Sequence, residues 1–149
     1  MILQDTFTLQ NQLKIPKIGL GTWQSSPEDA YKAVKIALEN GYRHVDTAAA
    51  YKNEEAVGKA VRDSGLPRED IFVTTKVPAE LKSYQEAVDS IDASLAKLDL
   101  GYIDLILIHA PRPWAIMRDN PDQKDFFLEN IDVWKALEEA YLSGKVKSI

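Results

Sequence analysis

The strongest constraint on this chain is a repeat. Four times a short apolar run is followed by a helical pattern of apolar residues. The runs are residues 18–23, 44–46, 71–76 and 103–109. Strand–helix repetition of this kind predicts right-handed βαβ units and a parallel sheet. The fourth run, Ile103-Asp104-Leu105-Ile106-Leu107-Ile108-His109, is apolar at nearly every position, as expected of a parallel strand buried on both faces.

The punctuation between the runs is specific. Residues 6–9 and 13–15 read as a hairpin with its turn near Gln10-Asn11. Ser26-Pro27-Glu28-Asp29 starts a helix with a cap, a proline in the first turn and acids against the dipole. Ala30, Val34, Ala37 and Leu38 continue it, and Asn40-Gly41 ends it. Asn53 is expected to cap the next helix through its side-chain oxygen. That helix carries Ala56, Val57, Ala60 and Val61 and stops at Gly65. Ser83 and Glu86 have capping-box spacing, ahead of Ala87, Val88, Ile91, Leu95 and Leu98. A long loop is expected over residues 110–129. A last helix should begin near Asn130, with Val133, Trp134, Leu137 and Tyr141 on one face, and close at Gly144. Val146-Lys147-Ser148-Ile149 reads as a fifth strand just beginning.

Composition narrows the function classes. Hydrophobic residues make up 45% of the 149, enough for one packed domain. The formal net charge is -5 and no basic stripe is visible, which argues against nucleic acid as a partner. With no cysteine and two histidines, neither a disulfide framework nor a metal centre is expected. No charged, apolar leader opens the chain and no run approaches membrane-spanning length. A cytoplasmic protein with no membrane partner is the expectation.

Three of the four runs end on a reactive side chain: Asp46, Lys76 and His109. Tyr51 follows just beyond the first. In a (β/α) barrel the active site is built at the C-terminal ends of the strands. Each residue alone has a plainer explanation: a turn cap for Asp46, a solvated charge for Lys76, packing for Tyr51, a carbonyl partner for His109. Four on one rim point to catalysis, with the Lys76 ammonium reaching both Asp46 and the Tyr51 hydroxyl. Trp23, just past a strand end, is placed to wall a pocket. Gly19-Leu20-Gly21 is not a dinucleotide fingerprint, because no third glycine follows at the needed spacing.

These residues also carry a resemblance. Gly41-Tyr42-Arg43-His44-Val45-Asp46-Thr47-Ala48, with Tyr51, Asn53-Glu54 and Gly58, resembles the aldo-keto reductase signature. So do Gly19-Leu20-Gly21-Thr22-Trp23, Thr74-Thr75-Lys76 and the run 104–109. The flavour is of bacterial members of the diketogluconate-reductase type. The resemblance implies an α/β fold, a TIM (β/α)8 barrel with an N-terminal β-hairpin plugging its bottom. It implies a catalytic tetrad of Asp46, Tyr51, Lys76 and His109, with NADPH as hydride donor. Gly21, Thr22, Trp23 and Asp46 would then contact the cofactor; Trp23, Tyr51, His109 and Ala110 the substrate. Many members have Trp where Ala110 stands, so a wider pocket is expected.

A TIM barrel takes about 250 residues. The expectation is therefore a single domain over 1–149, the first half of a barrel truncated at the fifth strand and inactive as an isolated fragment. Its partners would be a small carbonyl substrate and either a second copy, as a homo-oligomer, or a complementing C-terminal half. Reduction of a carbonyl needs hydride at carbon and a proton at oxygen. A phenol is a poor acid at neutral pH unless an ammonium stabilises the phenolate. Lys76, held by Asp46, is the candidate ammonium, Tyr51 the proton donor, and His109 the group that orients the carbonyl oxygen. Two other classes fit the same residues: a Schiff-base lyase using Lys76, and a non-enzymatic remnant or interaction module.

Overall fold

The computed structural model describes residues 2–119 and 125–149. The hairpin forms from β1 (Thr6–Thr8) and β2 (Lys14–Pro16), paired antiparallel. Its turn reaches far along the chain: the Asn11 amide donates to the Lys147 carbonyl at 2.7 Å. Four strands make a parallel sheet in chain order: β3 (Leu20–Gly21), β4 (His44–Asp46), β5 (Phe72–Val77) and β6 (Leu105–Ile108). The fifth strand does begin where expected. Ile103 bridges Val146 in parallel, and the Ile106 N–H donates to the Ser148 carbonyl at 3.1 Å.

The helices cover one face of this sheet. They are α1 (Pro27–Glu39), α2 (Glu54–Arg62), α3 (Tyr84–Leu98) and α5 (Phe127–Leu142). The Ser26 hydroxyl caps α1 by accepting from the Asp29 N–H at 3.1 Å. Ser83 and Glu86 form the reciprocal capping box of α3. α2 and α3 pack unusually close, and Gly58 permits it. A Cβ added there would meet the Leu98 carbonyl oxygen at 1.9 Å.

Alternation along the strands sorts the side chains. Val45 and Val73 are register partners, and Thr75 pairs with Ile106; these four point outward into the helix layer and are at most 1% exposed. There they join Val34, Leu38, Val57, Ile91, Leu98 and Leu137 in the core. Asp46, Thr74, Lys76, Leu105 and Leu107 point to the inner, barrel-side face.

Three local expectations need correction. β6 is not buried on both faces: Leu107 is 37% exposed, because no wall stands opposite the inner face among the described residues. Residues 110–129 are not all loop, since α4 (Trp114–Asp119) folds within them and α5 starts at Phe127. The buried stripe of α5 is Val133, Ala136, Leu137 and Ala140; Trp134 and Tyr141 are exposed, Trp134 donating to Glu138 at 3.1 Å. Among the described residues, no helix is long and apolar enough to cross a membrane.

Candidate active site

Asp46, Tyr51, Lys76 and His109 gather at the C-terminal ends of β4, β5 and β6. The Lys76 ammonium donates to Asp46 Oδ1 at 2.6 Å and to the Thr47 carbonyl at 2.8 Å. The Lys76 side chain is 12% exposed, against 39% for Asp46. Its nitrogen lies 5.2 Å from the centre of the Tyr51 ring. The expected reach to Asp46 is present; on the Tyr51 side the ammonium stands over the phenol ring, and the Thr47 carbonyl takes a further bond.

Tyr51 closes a 3-10 turn, Ala49–Tyr51, set between β4 and α2. The His109 imidazole meets it edge-on, ring centres 5.5 Å apart. The His109 N–H is tied to the Val77 carbonyl at 3.0 Å, which fixes the residue beyond the strand end. Burial pushes the imidazole below its ordinary pKa, and the Lys76 ammonium pushes it the same way. His109 is therefore neutral at pH 7. Its Nδ1 is enclosed and has no hydrogen-bond partner.

The remaining sequence candidates divide. Gly21 is the register neighbour of Asp46, and a Cβ built on it meets nothing within 4 Å, so the rim is open there. Trp23 is 68% exposed at the same rim. Thr22 is 1% exposed and its polar groups are engaged inside the molecule. Its N–H donates to the Asp46 carbonyl at 3.0 Å, its hydroxyl to Thr47 Oγ1 at 2.9 Å, and its carbonyl accepts from Asn53 at 2.9 Å. Ala110 is 6% exposed, and Lys82 donates to its carbonyl at 3.0 Å. Instead of opening space beside His109, the chain returns through α4, and the Trp114 ring packs edge-on to the imidazole at 5.5 Å.

Sequence reasoning missed Trp114, because it lay in an expected loop with no spacing to the other three elements. It also misjudged Asn53. That residue precedes α2 but caps nothing with its side chain. Its groups bond Thr22, Ser25 and Thr47 instead. A cavity of about 870 Å³ lies elsewhere, lined by residues including Leu9, Asn11, Leu105, Tyr141 and Ile149. None of the four rim residues lines it. No His, Asp or Glu cluster able to hold a metal occurs among the described residues.

Comparison with known proteins gives a consistent picture. The profile of the aldo/keto reductase family matches residues 17–149. Glycerol 2-dehydrogenase (NADP(+)) of Saccharomyces cerevisiae is 44% identical, the match covering 95% of this chain and 49% of that protein. Glyoxal reductase of Bacillus subtilis is 40% identical, over 99% of this chain and 49% of its own length. Among solved structures, an aldo-keto reductase enzyme from a Medee basin deep-sea metagenome library superposes with a TM-score of 0.83 at 45% identity, covering 95% of this chain and 47% of that one. A Bombyx mori aldo-keto reductase in complex with NADP gives 0.80 at 35% identity, with 96% and 48% covered. The chain spans about half the length of the curated relatives it matches.

Proposed function

The chain belongs to the aldo/keto reductase family, and from that premise we propose that residues 1–149 form one domain, the proton-donating half of an NADP(H)-dependent carbonyl reductase barrel. The observation that carries this is the seating of Lys76 between Asp46 and Tyr51, with His109 edge-on to the same phenol. The substrate class is small aldehydes and ketones, and the compartment the cytoplasm.

The residues present fit a nicotinamide cofactor at the rim. No side chain fills the space over Gly21, Trp23 stands exposed beside it, and the enclosed Nδ1 of His109 has no partner in the protein. Gly21, Thr22, Trp23 and Asp46 are the residues that would hold it here. When bound, NADPH supplies the hydride. The protein's own part is the proton. Tyr51 donates it to the carbonyl oxygen while the Lys76 ammonium stabilises the negative charge left on the phenol. Asp46 and the Thr47 carbonyl keep the ammonium in place. Neutral His109 donates a hydrogen bond to the same carbonyl oxygen and orients it. Trp114 and Trp23 wall the approach.

Imine chemistry on Lys76 is disfavoured by the same contacts. An amine nucleophile must shed its proton, and Lys76 uses its N–H groups on Asp46 and Thr47. Borohydride trapping of a carbonyl on Lys76 would reverse that judgement.

The inner face explains why activity is assigned to a completed barrel rather than to the isolated chain. Leu107 is 37% exposed, and among the described residues no strand pairs with the far side of the Val146 segment. Edges and apolar faces of this kind recruit other chains. A second copy across a two-fold axis is the simplest cover, and a complementing C-terminal half is the alternative. Light scattering separates both from a monomer. The functional test joins this chain to the second half of a relative's barrel and follows NADPH oxidation with an aldehyde. Turnover that disappears in Tyr51→Phe while NADPH still binds is the expected result. Turnover indifferent to Tyr51 would sink the proposal, as would clean Tyr51-dependent oxidation by the isolated chain for the claim of inactivity.

A further inference from the structure

Behind the four rim residues lies a second, buried layer. Asn53 is 1% exposed and uses its whole amide. Its Nδ2 donates to the Thr22 carbonyl at 2.9 Å and to the Ser25 carbonyl at 3.1 Å. Its Oδ1 accepts from the Thr47 hydroxyl at 2.9 Å. Thr47, wholly buried, is the residue whose carbonyl accepts from Lys76. The next residue, Glu54, is also 1% exposed and accepts from the Thr75 hydroxyl at 2.6 Å. Thr75 is the strand neighbour of Lys76. Two consecutive side chains at the start of α2 thus reach Lys76 by two routes, one through the loop after β4 and one through β5.

The backbone between Tyr51 and this pair is strained. Lys52 has φ +59° and ψ 28°, a left-handed conformation rarely adopted outside glycine. Non-glycine residues persist there only when their surroundings over-determine the backbone. The Asn53 bonds follow Lys52 directly and supply that constraint. Hydrogen bonds sealed from water are the kind that fix one geometry, because leaving any of these carbonyls unpaired would be costly.

We infer that Asn53 and Glu54 are positioning residues for the Lys76–Tyr51 pair, Asn53 by locking the strained turn and the Thr47 carbonyl, Glu54 by pinning Thr75. This deepens the proposed reductase reading and rests on it for its functional meaning. The geometric claim stands apart from turnover: Asn53 and Glu54 decide where the Lys76 ammonium sits.

The test reads Lys76 directly. The chain is labelled with ¹⁵N-lysine, and exchange of the Lys76 ammonium protons with water is measured, the resonance being assigned by its absence in Lys76→Arg. Asn53→Ala should quicken that exchange by about tenfold or more, the scale of one lost buried hydrogen-bond network. Glu54→Gln should quicken it less. Adding Lys52→Gly to Asn53→Ala should return part of the protection, since glycine takes the left-handed turn unaided. Ile91→Ala, which opens a cavity in α3, serves as the control for general destabilisation. It should lower Tm comparably and leave Lys76 exchange within about twofold. If Asn53→Ala does not fold, Asn53→Ser, which puts one short hydroxyl in place of the amide, is measured instead with the same readout. Unchanged Lys76 exchange in a folded Asn53 variant overturns the inference, and so does an equal change in Ile91→Ala. Failure of the completed barrel to oxidise NADPH would count against the reductase reading alone.

Discussion

The two faces of the parallel sheet are built from alternate residues of the same strands, yet they lead different lives. On the outer face Val45, Val73, Thr75 and Ile106 are at most 1% exposed beneath the helices. On the inner face Leu107 stands 37% exposed, and past the strand ends Trp23 is 68% exposed. The outer face therefore holds this chain together. The inner face and its rim carry the proposed chemistry, and in the proposed completed barrel they are covered. Stability and function are separated here by a single step along a strand.

That separation can be broken at four points, of decreasing size. Tyr51→Phe removes the proposed proton donor at the rim and nothing from the core. In a completed barrel it should lower turnover by about 10²–10⁴-fold and leave the urea midpoint of the chain within experimental scatter. A large stability loss would mean that the rim is also a structural element.

Gly58→Ala attacks the other face. Its Cβ would lie 1.9 Å from the Leu98 carbonyl oxygen, a backbone atom, with no flexible side chain to yield. A loss of about 3 kcal/mol or more is expected, read by denaturant unfolding. A mild effect would show that α2 and α3 can part without harm.

The sharpest comparison uses neighbours on β6. Ile106→Ala should cost about 2–5 kcal/mol, since Ile106 is 1% exposed in the helix-covered core. Leu107→Ala should cost under about 1 kcal/mol in the isolated chain. If Leu107→Ala proves as damaging as Ile106→Ala in dilute solution, the inner face is already covered, by a second copy or otherwise.

The smallest effect is in acid. Burial holds both His44 and His109 below their ordinary pKa. The unfolded chain therefore takes up protons that the folded imidazoles refuse. Stability is fully present above the ordinary histidine value, about 6.5, and falls as the pH drops below it. Urea midpoints measured downward from pH 7 should decline, and the decline should flatten in a His44→Asn, His109→Asn double variant. An unchanged slope in that variant would assign the acid sensitivity to the carboxylates.

Much of this arrangement was legible before any fold. Ser26 and the Ser83–Glu86 pair announced their helices, because a cap is satisfied by residues three positions away. Asp46, Lys76 and His109 announced a rim, because a parallel strand delivers its last residue to one end of the sheet. Asn53 was misread for an instructive reason: the amide that can cap a helix can equally bond Thr22 and Thr47, 31 and 6 residues back. No local pattern decides between those uses. Trp114 was invisible because its contact with His109 depends on α4 folding back over the end of β6.

The sequence by itself determined the repeating strands and helices, their order and the end of the sheet where reactive groups meet, since periodicity, caps and strand ends are properties of near neighbours; α4 was not among them. The tertiary structure decided which partners the buried polar groups took and which apolar face stayed open. Those outcomes depend on register between residues about thirty apart and on what stands across from each face, and such distances are set only when the strands pair.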